Sequence, residues 1–227
     1  MRSRALMMIL AVAAVAMGPQ TASATPVTGI LSIVGNVALT KDTTSFPDLM
    51  PGTNGVVGVS SGNFASLSGT AAILLTLDKT VDPVGAPISL PDFVTLTAAP
   101  DIVLNLTKID FGIFTSASCG AAPAVGQLCT PTGTEFNFIN TPSGSIASFS
   151  VEGVATRIST GEETPFQGDF TFQFAGIPYQ NVLAALAAGG TVSGTYSASF
   201  DVVPEPATAL LLGLGALALA AGRRRLA

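Results

Sequence analysis

The side chains of this 227-residue chain that could perform chemistry are carboxylates and one pair of cysteines, because histidine is absent. Without histidine, Ser-His-Asp and Cys-His catalysis are excluded, as are zinc or haem sites with histidine ligands. Two close pairs of acids remain, Glu162 with Glu163 and Asp78 with Asp82. Adjacent residues of a strand point to opposite faces, so we interpret these acids as solvated loop charges rather than as a catalytic pair.

The two cysteines, Cys119 and Cys129, are close in sequence and are separated by small and apolar residues. We predict that they form a disulfide, because the chain also carries the signals of an exported protein and a catalytic thiol would lack a histidine partner. Closing so short a loop is worth about 3 kcal/mol in the chain-entropy model. The expected role is local order, and we predict no metal site and no cofactor.

The first 24 residues have the layout of a secretory signal peptide. Two arginines precede an apolar stretch from Ala5 to Met17. This stretch is too short to cross a hydrocarbon core about 30 Å thick, and Ala22 and Ala24 form the small-x-small site that signal peptidase recognises. We therefore predict that residues 1–24 are removed and that Thr25 becomes the new amino terminus.

The C-terminal segment combines a proline motif, an apolar run and a basic cluster. Pro204, Glu205 and Pro206 stop any regular element, residues 207–221 are apolar, and the cluster consists of Arg223, Arg224 and Arg225. Under the positive-inside rule these arginines act as a stop-transfer signal and stay cytoplasmic, so the body lies across the inner membrane. A helix over the apolar run reaches only about 22 Å, which is short for a permanent anchor.

This tail resembles the PEP-CTERM sorting signal, in which Val-Pro-Glu-Pro precedes a hydrophobic helix and a terminal arginine cluster. The resemblance covers residues 204–227 and identifies Pro204, Glu205 and Pro206 as the recognition element. It implies that an exosortase, a membrane-embedded cysteine transpeptidase, removes the tail while the protein passes to the cell surface. The expected partners are signal peptidase, exosortase and, transiently, the inner membrane. Such tails occur on very diverse bodies, so the resemblance assigns no activity to residues 25–203.

The body between the two signals is acidic. Residues 25–203 contain four cationic and thirteen acidic side chains, which gives a net charge of −9. Phosphate backbones and anionic lipids repel such a surface, so we predict no nucleic-acid partner. The length fits one domain with a real core.

Alternation of apolar and polar residues predicts that the body is built from β-strands. The clearest segments are Phe170 to Phe174 and Val192 to Val202, and shorter ones run over Leu31 to Leu39, Ile73 to Leu77, Ile102 to Leu106 and Phe136 to Phe138. The apolar phase changes near Thr107 and across Glu152-Gly153, which predicts β-bulges.

One helix is predicted among these strands. Pro178 opens a segment rich in leucine and alanine, and Gly189-Gly190 closes it. Many short strands with a single helix favour an all-β domain, an antiparallel β-sandwich or jelly roll. The signal peptide and the C-terminal hydrophobic helix are expected to flank this domain.

Three functions remain open for the body. The leading expectation is a structural or adhesive component of the cell surface, embedded in an exopolysaccharide matrix and without enzymatic activity. A glycan- or calcium-binding module would need tyrosine, asparagine and aspartate side chains clustered at one rim of the sandwich. A carboxylate-dependent hydrolase would need two acids from separate strands about 5–10 Å apart in a groove.

The signal cleavage site gives a first testable prediction. Replacing both Ala22 and Ala24 with phenylalanine should leave an uncleaved precursor in the inner membrane, because the peptidase pocket accepts only small side chains. Ala14→Phe, inside the apolar stretch, is the matched control and should be processed normally. Mass analysis of the membrane fraction checks both variants, and normal processing of the double variant would refute the assigned site.

Overall fold

The strands predicted from alternation pair into one antiparallel sheet that closes on itself. The computed structural model describes residues 25–204. In chain order the strands are β1 Gly29–Leu39, β2 Thr43–Ser45, β3 Gly55–Val57, β4 Ala71–Leu74, β5 Leu77–Asp78, β6 Pro87–Leu96, β7 Ile102–Ile109, β8 Leu128–Cys129, β9 Asn137–Thr141, β10 Gly144–Arg157, β11 Glu162–Ala175 and β12 Val192–Val202. A 3₁₀ helix spans Gly62–Leu67, and helix α1 spans Tyr179–Ala187.

Eight of these strands form a closed barrel in the order β11, β12, β1, β3, β4, β6, β7 and β10. The ring closes because β10 pairs with β11 as well as with β7. Strands β9 and β8 extend the sheet from β10, while β2 pairs with β1 and β5. The sandwich or jelly roll predicted from the sequence is wrong. In a sandwich the inward faces of two separate sheets oppose each other, whereas here every ring strand is paired on both sides.

Aromatic side chains fill the interior of the barrel. Phe149 and Phe170 stack with ring centroids 4.8 Å apart, and Phe170 also meets Phe93, Tyr196 and Phe200 within 6.3 Å. All five rings are at most 3 % exposed. These positions come from the alternating segments, so the predicted inward faces of β11 and β12 are confirmed.

A β-bulge interrupts the pairing of β7 with β10 at the predicted position. The register shifts between Glu152 and Gly153, and the extra residue is Thr107 of β7. A Cβ at Gly153 would lie 2.2 Å from the Asn105 carbonyl oxygen and 2.4 Å from the Phe166 ring. Only glycine allows the backbone and the ring to approach so closely, so the bulge and the packing of Phe166 depend on this residue.

Two parts of the strand prediction need correction. The sequence placed Ile73 and Leu75 on a buried face, but they are 39 % and 38 % exposed, and Ala72 and Leu74 face the interior instead. The reason is register, because Ala72 and Leu74 pair with buried residues of β6 and paired residues share a face. Strand β6 lies where no alternating segment was identified in the sequence, and two register shifts interrupt its pairing with β7.

Helix α1 connects β11 to β12 and confirms the predicted helix. Pro178 precedes its first turn, and Gly189 follows it with φ of +77°. Tyr179 and Val182 are fully buried against the core. We call the barrel end that carries α1 the far end. The opposite end, which contains Thr25–Thr28, residues 158–161 and Val203, is the base.

The aromatic interior predicts a large stability loss on truncation. Phe170→Ala should lower the free energy of unfolding by about 3–5 kcal/mol, because it removes a fully buried ring from the centre of the cluster. Phe111→Ala is the matched control, since Phe111 is 54 % exposed, and it should cost less than about 1 kcal/mol. Denaturant unfolding of both variants measures the difference, and equal losses would contradict the packing described.

Candidate functional site

The sorting motif begins where the last strand of the barrel ends. Val202, the last residue of β12, pairs with Gly29 of β1 and with Phe166 of β11, and its side chain is 1 % exposed. The next residue, Val203, is 56 % exposed, and its N–H donates one hydrogen bond to the Pro165 carbonyl at 3.3 Å. Pro204 has no N–H to continue the ladder, so strand pairing stops here.

The two ends of the body lie side by side at the base. Thr25, the predicted new amino terminus, is exposed and lies four residues before β1, and Val27 is fully buried. Pro26 and Pro204 line the same shallow cleft of about 480 Å³, together with Val154 and residues 162–165. Thr25, the predicted new amino terminus, and Pro204, the first residue of the proline motif, therefore lie at the same end of the barrel.

Hydrogen bonds and one ion pair order the charged loops of the base. Asp101 accepts hydrogen bonds from the Ser159 N–H at 2.7 Å and from the Ser159 hydroxyl at 2.8 Å. The Ser159 hydroxyl is the main cause of a lowered pKa at Asp101, and Arg157, whose guanidinium lies 3.5 Å from the carboxylate, adds to it. These contacts order the β10–β11 turn at the base, the barrel end where Val203 and Pro204 lie.

The structure does not assemble either pair of acids into an acid/base pair. Glu162 is half-buried on the inward-facing side of β11, while its neighbour Glu163 is exposed on the opposite side. Asp78 accepts hydrogen bonds from the Thr80 hydroxyl and N–H, which lower its pKa. Asp82 accepts from the Asp78 N–H at 3.2 Å. Both aspartates thus stabilise the turn after β5.

The predicted disulfide is confirmed and belongs to the far end of the barrel. Cys119 and Cys129 are bonded, with their Cα atoms 5.1 Å apart. Cys129 lies in β8 and is fully buried. The Tyr179 hydroxyl of α1 donates to the Ser118 carbonyl at 2.9 Å, so the helix and the disulfide together fix the exposed loop of residues 120–126.

Sequence reasoning missed two features that shape these regions. Pro165 accepts the hydrogen bond of Val203, and Pro26 lines the cleft with Pro204. Both contacts depend on the register of long-range strand pairing, so no local sequence signal predicts them. Lys79 forms an ion pair with the buried Glu135 at 3.0 Å, and its ammonium group lies 4.6 Å from the centre of the Phe136 ring. In the sequence, the one signal for this contact is that the aromatic Phe136 directly follows the isolated acid Glu135.

Several predicted site residues lie outside the described residues. These are Ala22 and Ala24 of the signal cleavage site, Glu205 and Pro206 of the sorting motif, and the arginines Arg223, Arg224 and Arg225. Within residues 25–204, no helix has the length and apolar character needed to cross a membrane. The same residues contain no group of three or more acids or cysteines able to hold a metal ion.

Comparison with known proteins identifies the tail. A family model for the PEP-CTERM protein-sorting motif matches residues 202–225, which confirms the resemblance stated from the sequence. No curated protein and no solved structure matches the chain. The match begins at Val202, so the family's motif and the last paired residue of the barrel meet at one position.

The disulfide gives a prediction about the far end. Replacing Cys119 and Cys129 together with serine should lower the free energy of unfolding by about 3 kcal/mol and leave the barrel folded, because the closed loop is short and lies outside the ring. Ser116→Ala, an exposed change three residues before Cys119, is the control. Denaturant unfolding with and without reductant measures the effect, and identical stability of oxidised and reduced protein would contradict it.

Proposed function

We propose that the chain is an exported surface protein whose tail is removed by an exosortase, and that the barrel then serves as a structural or adhesive component. The sorting motif at residues 202–225 carries the proposal, and it supports export and processing by an exosortase. After processing, the barrel remains at the cell surface or in a surrounding exopolysaccharide matrix. The inner membrane holds the precursor only transiently, through the apolar run.

The geometry of the base supports this route. A precursor that carries both signals is attached to the inner membrane at two points, before Thr25 and after Pro204. Thr25 and Pro204 lie at the same end of the barrel, and Pro26 and Pro204 line one cleft. A folded body can therefore be attached to the membrane at its base. Both processing sites would then be near the lipid, and the far end would point away from it.

The use of charges in the body supports a structural role rather than an enzymatic one. Three of its four cations are paired with acids, Arg157 with Asp101, Lys79 with Glu135, and Lys108 with Asp110 and Glu152. Hydrogen bonds to Asp110 and then Glu152 raise the pKa of Lys108. These pairs join separate strands and loops, and the interior is filled by aromatic rings. These ion pairs and the aromatic interior favour a structural role for the described residues.

The test of this proposal compares one host with an exosortase and the same host without it. In the complete host the wild-type chain should lose its tail and leave the membrane fraction, and in the deficient host it should stay full length and membrane-bound. Intact mass of the membrane and released fractions measures both outcomes. Equal loss of the tail in the two hosts would refute the sorting function.

Variants of the tail separate its parts in the same assay. Alanine at Pro204, Glu205 and Pro206 should leave a folded, full-length, membrane-bound protein, because the recognition element is lost. Serine at the three arginines should let some molecules slip through with the tail attached, because the stop-transfer signal is lost. Pro123→Ala and Lys41→Ser, both at exposed positions of the body, are the controls and should be processed like wild type.

A further inference from the structure

We propose that the barrel sets the upstream limit of the cut: the exosortase cleaves the chain at the Pro204–Glu205 bond or further downstream. This inference rests on the proposed function and adds the position of the reaction. Its basis is that only one residue, Val203, separates the last paired residue, Val202, from Pro204.

Residues before Val203 are held by two ladders at once. Asp201 pairs with Ile30 on one side and with Gln167 on the other, and Val202 pairs with Gly29 and Phe166. The side chains of Phe200 and Val202 are also buried in the barrel. A peptide-cleaving enzyme binds its substrate as an extended segment with free backbone groups, which these residues present only if β12 separates from both neighbours.

Val203 and Pro204 are the first residues free to enter such a cleft. Val203 keeps one hydrogen bond, 3.3 Å long, and is more than half exposed. Pro204 donates no backbone hydrogen bond, and its ring keeps Val203 extended. An enzyme that binds two substrate residues before the bond it cuts can use Val203 and Pro204, so the first accessible bond is Pro204–Glu205. To cut the preceding bond, Val203–Pro204, the same enzyme would have to bind Val202 as well. That bond also has a proline nitrogen as its leaving group.

The chemistry at that position follows the thiol mechanism implied by the sorting motif. The enzyme's thiolate attacks the carbonyl carbon of Pro204 or of a later residue, the C–N bond breaks, and the nitrogen of the departing tail gains a proton. A hydroxyl or amine of the acceptor, or water, then attacks the thioester carbon and returns the thiol. The body therefore keeps Val203 and Pro204 at its new carboxyl end.

Mapping of the new carboxyl terminus tests the proposal on the full chain. Protein released from an exosortase-containing host is analysed by intact mass and by sequencing of its C-terminal peptide, with the exosortase-deficient host in parallel. A terminus at Pro204 or any later residue is the expected result. A terminus at Val203 or earlier, seen only in the complete host, would overturn this inference while the proposed function stands. Equal tail loss in both hosts would overturn the proposed function and this inference with it.

A change of spacing tests the cause of the limit. A chain that lacks Val203 should be processed about tenfold more slowly, because the enzyme must then draw the buried Val202 out of the barrel. A chain with Gly-Ser-Gly inserted between Val203 and Pro204 should be processed at least as fast as wild type and be cut at the same bond of the motif. Deletion of Ala122, in the exposed far-end loop, is the control and should not alter the rate. Wild-type processing of the chain without Val203 would show that the barrel imposes no limit.

Discussion

The pairing of the first barrel strand with the last is the interaction on which the rest of the structure depends. Strands β1 and β12 are in register over eleven positions, from Gly29 opposite Val202 to Leu39 opposite Val192. On its other side β1 pairs with β3 at only two positions, Ile33 with Val57 and Val34 with Val56, and with β2 at two more. Without β12, the first strand would lose its longest ladder and the ring would be open. The same register brings both ends of the body to the base.

On the proposed route, this pairing would also link folding to export. Contacts between the two ends of a chain form late, because the intervening chain must first be ordered. Strand β12 is the last element before the sorting motif. On the proposed route, the barrel would therefore close only after nearly the whole body had crossed the membrane.

Local signals in the sequence predicted the features that depend on neighbouring residues. Alternation identified the inward residues of β11 and β12, the phase change located the bulge at Glu152-Gly153, and export signals made the disulfide the favoured state of the cysteines. The closed ring was not predictable, because alternation defines an inward face without saying which strands share it. Ile73 was assigned to the wrong face for the same reason, and the proximity of Pro26 and Pro204 depends on a register between opposite ends of the body.

Strand β12 is an integrated barrel strand up to Val202, so the folded body reaches to the sorting motif. Hydrogen exchange of the full-length chain in detergent tests this most directly, because amides in a closed ladder exchange only when the ladder opens. We expect hydrogen-bonded amides from Tyr196 to Val202 to be protected as strongly as those of the β10–β11 hairpin. If the last residues of β12 instead exchange as rapidly as the exposed loop of residues 120–126, the strand is frayed and the barrel does not reach to the sorting motif.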